Sequence, residues 1–461
     1  MADEKIWSGR FESQTDALME KFSVSLPFDQ RLFDADIQVN QAWARALVSV
    51  GVYSSEEADQ VCETLNDIRQ QFHAGALTFP AGVEDIHSAN ERWLTERLGD
   101  VGARIHTGRS RNDQVITDLR IYLRERNREL QRALLALQTA LVNRAAEHVE
   151  VVFPGHTHLQ QAQPLSLAHY WLAFFSQLQR DRKRLQQTYA RCNVMPLGAG
   201  AIAGSAFEVD RFALAQDLRF DRPSDNSIDA TSDRDVILDH LHACAQVMTH
   251  ASRIAEDLII WASQPFGFVR VHQTFATGSS MMPQKRNPDS LELIRGKSAR
   301  VIGNMVSGFT LLKGTPTAYV RDLQEDKEPL FDSLDHTMLS IQIFAGVIRT
   351  LEICQDRMRE SLDPGLYATD LADYLVRKGL PFRQAHSVVG RIVTHAERNA
   401  ILLKDVKLET MRHYSELFQA DVFEVFDPMQ SLQKREIYGG TGPMAVKYQL
   451  ESAKLLLETA E

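Results

Sequence analysis

Two hydroxyls, a lysine and an asparagine fall within one run, Thr277-Gly278-Ser279-Ser280-Met281-Met282-Pro283-Gln284-Lys285-Arg286-Asn287-Pro288, and a helical stretch opens at Asp289. The free N–H groups at a helix N-terminus carry partial positive charge and suit a carboxylate. Lys285 adds a point charge and Asn287 a directed donor, while Gly278 leaves the loop free to move. On composition alone, a plain N-capping loop would look the same.

Three other runs hold residues capable of chemistry. Ile105-His106-Thr107-Gly108-Arg109-Ser110-Arg111-Asn112-Asp113-Gln114 sets two arginines about a serine just ahead of a long helix. A guanidinium can grip a carboxylate with two parallel hydrogen bonds, but a cap with surface arginines has the same composition. Pro154-Gly155-His156-Thr157-His158-Leu159-Gln160-Gln161-Ala162-Gln163-Pro164 reads as a loop, with His158 beside a hydroxyl and several amides. Such a histidine can move protons or be purely structural. The His156–His158 spacing imitates a metal pair, yet no acidic residue or third histidine stands beside it, so no metal is expected. Tyr319-Val320-Arg321-Asp322-Leu323-Gln324-Glu325-Asp326-Lys327-Glu328 is by itself a charged helix start. Gly198-Ala199-Gly200-Ala201-Ile202-Ala203-Gly204 imitates a dinucleotide loop, but no strand precedes it and no βαβ unit surrounds it.

The elements that must position these runs are helices. Glycine and proline are absent between Gly108 and Pro154, between Pro164 and Pro196, and between Pro223 and Pro265. Helix interiors exclude both residues, so such gaps predict long helices. Leu119, Leu123, Leu130, Leu134, Leu137 and Leu141 form one apolar face of the first, with Arg124, Arg126, Arg128 and Glu129 opposite. Val236, Leu241, Cys244, Val247, Ile254 and Leu258 repeat the pattern in the third. A fourth stretch, Asp289 to Lys313, contains Gly296, Gly303 and Gly308, which close helix contact would compensate. A fifth runs from about Leu323 to Leu362, with Pro329 near a first turn or at a kink. Only Phe266 to His272 alternates like a strand. The predicted fold is all-α, in three parts: an N-terminal helical domain (1–111), a central bundle of long helices (112–361) and a C-terminal helical domain (362–461). Rods this long leave apolar stripes wet in a lone chain, which predicts a multi-helix core shared by several copies.

Composition excludes several classes. The 461 residues carry a net charge of −10 and an isoelectric point near 5.9, so no broad basic surface for nucleic acid is expected. A local cationic pocket for an anion remains compatible with that total. The four cysteines lack paired spacing and suit a reducing compartment. The first residues lack a basic-then-apolar leader, and no apolar run approaches the roughly 18–20 residues of a spanning helix. A cytoplasmic protein with no membrane partner is expected.

Gly278-Ser279-Ser280-Met281-Met282-Pro283-Gln284-Lys285-Arg286-Asn287 resembles the G-S-S-x-M-P-x-K-x-N signature of the fumarase/aspartase superfamily of β-elimination lyases, with every fixed position filled. His106 to Gln114 resembles the marker H-T-G-R-S-R-N-D-Q of the argininosuccinate lyases, and Tyr319 to Glu328 resembles their Y-x-x-D-x-Q-E-D-K-E segment. Thr157-His158-Leu159-Gln160 matches T-H-L-Q, although His156 stands where that family usually has tyrosine. Shorter similarities include Trp7-Ser8-Gly9-Arg10-Phe11, Ser25-Leu26-Pro27-Phe28-Asp29, Glu84-Asp85-Ile86-His87, Ser232-Asp233-Arg234-Asp235 and Leu291 to Lys297. They run from residue 7 to about 390, and the dinucleotide-like run resembles the family's L-G-x-G-A-x-A-G turn.

The resemblance implies a homotetramer that splits argininosuccinate into arginine and fumarate with no metal or organic cofactor. It implies Ser279 as the base that takes the carbon-bound proton, His158 oriented by Glu292 on the acid side, and Lys285 stabilising the carbanion-like intermediate. The reverse assignment, with His158 or its bound water as base, stays open, because serine is a weak base unless its oxyanion is stabilised. Ser25, Arg111, Asn112 and Thr157 are implied contacts for the carboxylates, Tyr319, Gln324 and Lys327 for the remainder, Asn287 stands with Lys285 where charge develops, and His87 is a further substrate-binding candidate. Fumarase and adenylosuccinate lyase would share the serine loop but not the other two segments. The lens δ-crystallins, structural proteins of this family, are the non-enzymatic alternative.

Overall fold

The computed structural model describes residues 15–80 and 82–459; the Trp7–Phe11 run lies outside them. The stretches free of glycine and proline form helices Arg111–Glu147, Leu167–Cys192 and Asp235–Ala262, followed by Asp289–Leu312 and Lys327–Thr350. The first has 37 residues, about 55 Å at about 1.5 Å per residue. All six leucines of its predicted stripe are buried, as are the six residues named for Asp235–Ala262. Pro329 lies in the first turn of its helix, where no carbonyl awaits its missing N–H.

The expected polar face departs from prediction at Arg124. It is buried; its guanidinium donates to Asn193 Oδ1 at 2.7 Å and to the carbonyls of Arg219 and Leu218 at 2.7 and 2.9 Å. It also lies 4.0 Å from the Phe220 ring centre. Long arginine stems bury well when the head finds acceptors. Of the three helix glycines, only Gly308 fits the close-contact expectation. A β-carbon there would meet Leu241 at 2.6 Å, whereas Gly296 and Gly303 have nothing within 4 Å.

The chain forms two compact units. One comprises Met1–Gln131, Lys183–Gln246 and Ala299–Met338; the other comprises Arg132–Arg182, Val247–Ser298 and Leu339–Glu461. In the first, helices Phe33–Ser49, Ser55–His73 and Ile86–Leu98 bury Ile37, Trp43, Leu47, Leu65, Ile68 and Ile86. In the second, the C-terminal helices close over Leu371, Leu375, Ile392, Met411 and Phe418.

Among the described residues the β structure is limited to four two-stranded sheets. Within Phe266–His272 only Val269–Arg270 is strand, paired antiparallel with Glu352–Ile353. The larger correction is at His158. The segment read as a loop is a hairpin, Val152–Thr157 against Gln160–Ser166. Pro154 pairs opposite Pro164 and the turn is His158-Leu159, so neither the strand alternation nor the usual Asn-Gly turn signal is present. No helix among the described residues is long and apolar enough to cross a membrane.

Candidate active site

In the first unit, Ser110 caps the Arg111–Glu147 helix. Its Oγ accepts the Asn112 N–H at 3.2 Å, and the Asp113 carboxylate accepts the Ser110 N–H at 2.9 Å, so side chains satisfy backbone groups on both sides of the helix start. Arg111 donates to Gln114 Oε1 at 2.6 Å and lies 3.3 Å from the Glu91 carboxylate. The N–H groups of Ser25 and Leu26 donate to the Glu84 carbonyl at 2.9 and 3.1 Å, and Ser25 Oγ donates to Asp29 at 2.6 Å. Arg321 pairs with the Glu84 carboxylate and donates to the Ser23 carbonyl, which also accepts from Gln324 at 3.2 Å. Burial raises the Tyr319 pKa, with Arg321, Arg234, Asp326 and Asp85 among the charges that act on it. Ser25, the Glu84–His87 turn and the Tyr319–Glu328 segment thus converge although far apart in sequence.

Lys327 is buried. Its ammonium donates to Asp326 at 3.0 Å and to the Leu323 carbonyl at 3.4 Å, and Asp326 also accepts from Arg234 at 2.6 Å. One carboxylate between two cations leaves a net positive charge in a dry place, a setting that suits an incoming anion.

His87 lies deeper, 1% exposed. Its Nδ1 is 2.9 Å from Asp36 and 3.0 Å from Asp118. Burial opposes a charged ring, but the two carboxylates outweigh it and raise the His87 pKa to about 10. Asp36 is held below the usual range by the same pairing, helped by Arg109 and Asn90, while burial pushes Asp118 up. Asp36, His87 and Asp118 have the composition of a metal site, but the protonated imidazole already supplies the cation between the two carboxylates. Asp36 accepts further hydrogen bonds from Asn40, Asn90 and Gln114 at 2.8, 2.7 and 2.5 Å.

The second unit holds the His158 hairpin and the serine loop. His158 and Leu159 have φ of 55° and 57°, so the hairpin turn is of the primed type, which glycine or asparagine normally fills. Strain of this kind persists only where the surroundings impose it. Gly155 stands at the bulge in the ladder, its α-carbon so close to Leu165 that a β-carbon would lie 2.6 Å from that side chain. Phe153 stacks edgewise on Tyr170 and Trp261. Gln161 bridges to the backbone of Ser361 and Asp363 at 2.8 and 3.0 Å. These contacts present Thr157 and His158 exposed at the hairpin tip. His156, half-buried, lies 5.6 Å from the Phe266 ring, and burial lowers its pKa.

The serine loop is closed by a short ladder that pairs Thr277 with Asn287 and Gly278 with Arg286. Ser279 Oγ accepts the Met282 N–H at 3.0 Å and the Met281 N–H at 3.3 Å. Two amides aimed at one hydroxyl oxygen favour its ionised form. Among the described residues, the side chains of His158, Lys285 and Glu292 have no hydrogen bond or ion pair, so the single chain does not join Glu292 to His158.

The buried carboxylates Asp36 and Asp118 lie outside every run singled out from the sequence, and Asp29, Arg234 and Asp326 lie within such runs with no role assigned to them. A signal was present. Asp36 falls on the stripe of Phe33, Ile37, Ala44 and Leu47, where a charge needs a buried partner.

Two families match by sequence: "Lyase" over residues 9–303 and "Argininosuccinate lyase C-terminal" over residues 365–433. The argininosuccinate lyase of Moorella thermoacetica is 46% identical over 454 residues, covering 98% of each chain. That of Roseiflexus sp. is 48% identical over 453 residues, covering 98% of this chain and 100% of the relative. Among solved structures, an EDDS lyase in complex with formate has a TM-score of 0.85 at 29% identity, covering 94% of this chain and 87% of its own. A class II fumarase from Schistosoma mansoni, at 16% identity and TM-score 0.74 over 90% of this chain and 93% of its own, shares the fold.

Proposed function

The chain belongs to the argininosuccinate lyase family, and from this membership and the site geometry we infer that it cleaves argininosuccinate to arginine and fumarate by β-elimination. The observation that carries the mechanism is the pair of N–H groups on Ser279 Oγ. They stabilise the alkoxide that a serine base requires. Ser279 removes the proton from the carbon beside the succinyl carboxylate, and negative charge builds on that carboxylate. Asn287, on the ladder leading into the Asp289–Leu312 helix, and Lys285, in the turn just before it, meet that charge. His158, oriented by Glu292, handles the proton that lets the nitrogen leave as arginine. Arg111, Asn112, Ser25 and Thr157 hold the carboxylates. Tyr319, Gln324 and the Lys327–Asp326–Arg234 cluster hold the remainder, and His87 fixes the platform beneath.

The enzyme works as a cytoplasmic homotetramer. On the Asp289–Leu312 helix Ile302, Val306 and Phe309 stand on one face, 38%, 56% and 53% exposed in the single chain. Apolar stripes of that size call for a partner surface. The unjoined side chains of His158, Glu292 and Lys285 find their counterparts in other copies, so that each site combines motifs from more than one chain. Rates on argininosuccinate, adenylosuccinate and malate, measured side by side, test the substrate assignment. A protein turning over either alternative, and not argininosuccinate, overturns it.

A further inference from the structure

Gly198 and Gly200 have φ of 87° and 61°, and neither tolerates a side chain. A β-carbon on Gly198 would meet Arg211 at 3.0 Å, and one on Gly200 would meet the Gly204 carbonyl at 2.9 Å. Successive turns of this kind aim backbone N–H groups at one point and bind anions, which explains why the run imitates a dinucleotide loop. Here the anion is internal. Asp113 Oδ2 accepts the Gly198 N–H at 2.9 Å and the Gly200 N–H at 2.8 Å, while its Oδ1 accepts from Ser110 at 2.9 Å. Asp113 is fully buried. Next to it, Asn112 Nδ2 donates to the Ala201 carbonyl at 3.4 Å, and Gly108 lies so close to Phe207 that a β-carbon would sit 2.8 Å from its ring.

We propose that Asp113 is a positioning residue for substrate carboxylate recognition: it latches the Gly198–Gly204 turn to the first turn of the Arg111–Glu147 helix, and so fixes where Arg111 and Asn112 point. This rests on the assignment of Arg111 and Asn112 as carboxylate ligands. Asp113 touches no substrate. Its role is to supply the one acceptor that both segments share, and a buried N–H such as that of Gly198 or Gly200 without an acceptor is costly enough to move a loop.

The experiment combines Asp113→Asn, which places an NH2 donor or a single acceptor where two acceptor oxygens stood, with Gly200→Ala, which disturbs the same contact from the other side. Each variant is expected to raise KM for argininosuccinate at least tenfold with kcat within threefold. The double variant should be no worse than the more severe single, because both break one latch. Folded variants with unchanged KM, a fall confined to kcat, or effects that multiply would overturn the proposal. If Asp113→Asn does not fold, Gly200→Ala decides on the same criteria. Amide exchange of the 197–205 segment separates the latch from the activity. If the wild-type enzyme fails to cleave argininosuccinate, the activity assignment falls, and exchange alone judges the latch. Slow exchange that becomes at least tenfold faster in Asp113→Asn supports it, and equal exchange overturns it.

Discussion

The amide of Met282 points at the hydroxyl oxygen of Ser279 from 3.0 Å, with the Met281 amide beside it at 3.3 Å. Among the described residues, the groups that donate to this oxygen are backbone amides, which is the preparation the proposed base needs. Ser279→Ala should lower kcat by roughly 10²–10⁴-fold, the usual range for a positioned acid or base. Because the hydroxyl's bonds among the described residues stay within its own loop, the melting temperature should stay within a few degrees of wild type. Steady-state kinetics with thermal melting checks both; near-normal kcat would remove Ser279 from the chemistry.

Lys285→Ala should also act on kcat. The ammonium has no ion pair within the described chain, so its removal leaves no carboxylate stranded. One lost charge-stabilising donor is typically worth about 3 kcal/mol, or about 100-fold. A KM effect with unchanged kcat would assign Lys285 to ground-state binding instead.

Gln324→Ala and Lys327→Ala should part company in stability. Gln324 holds a carbonyl at the site's edge, and its loss should raise KM about tenfold with little change in melting. Lys327 is buried against Asp326, so Lys327→Ala should raise KM and also lower the melting temperature, with Arg234 limiting the damage. Melting curves and KM values for the two variants check this; equal melting temperatures would contradict it.

The His87 network predicts a pH dependence of stability. The folded pKa of about 10 lies above the ordinary 6.5, so the imidazolium's contribution is complete below about pH 6.5 and is lost as pH rises through about 10. His87→Asn should flatten the decline in unfolding free energy between pH 7 and 10. Denaturant melts at several pH values measure that slope, and parallel declines in the two proteins would contradict the assignment.

How these groups appeared in the sequence depended on how local their signals were. The long helices were legible because the six leucines from Leu119 to Leu141 repeat at helical spacing within one uninterrupted element. Ser279, Lys285 and Asn287 were legible as a run because the loop that groups them is a single short segment. The hairpin under His158 was not, because its turn takes its conformation from the surrounding contacts and not from glycine or asparagine. The Asp36–His87–Asp118 and Asp326–Arg234 pairings were invisible because each joins residues tens of positions apart. Asp113 combined both cases: its capping of Ser110 was a local pattern, but its hold on Gly198 and Gly200 spans about 85 residues.

Shared sites would let inactive variants rescue each other. Ser279→Ala and His158→Asn, dissociated, mixed and reassembled, should regain activity if a site takes the two residues from different chains. Random assembly would give roughly a quarter of sites both native residues. Verified mixed oligomers without recovered activity would place Ser279 and His158 of each site on one chain.

The most direct test of the account is the stoichiometry of the reaction. Pure protein, exhaustively treated with chelator, is incubated with argininosuccinate, and fumarate is followed by its ultraviolet absorbance while arginine is quantified. Equal amounts of the two products are expected, formed at an undiminished rate after chelation and lost in Ser279→Ala. Absence of fumarate, or a rate that disappears with chelation and returns with a metal ion, would contradict it.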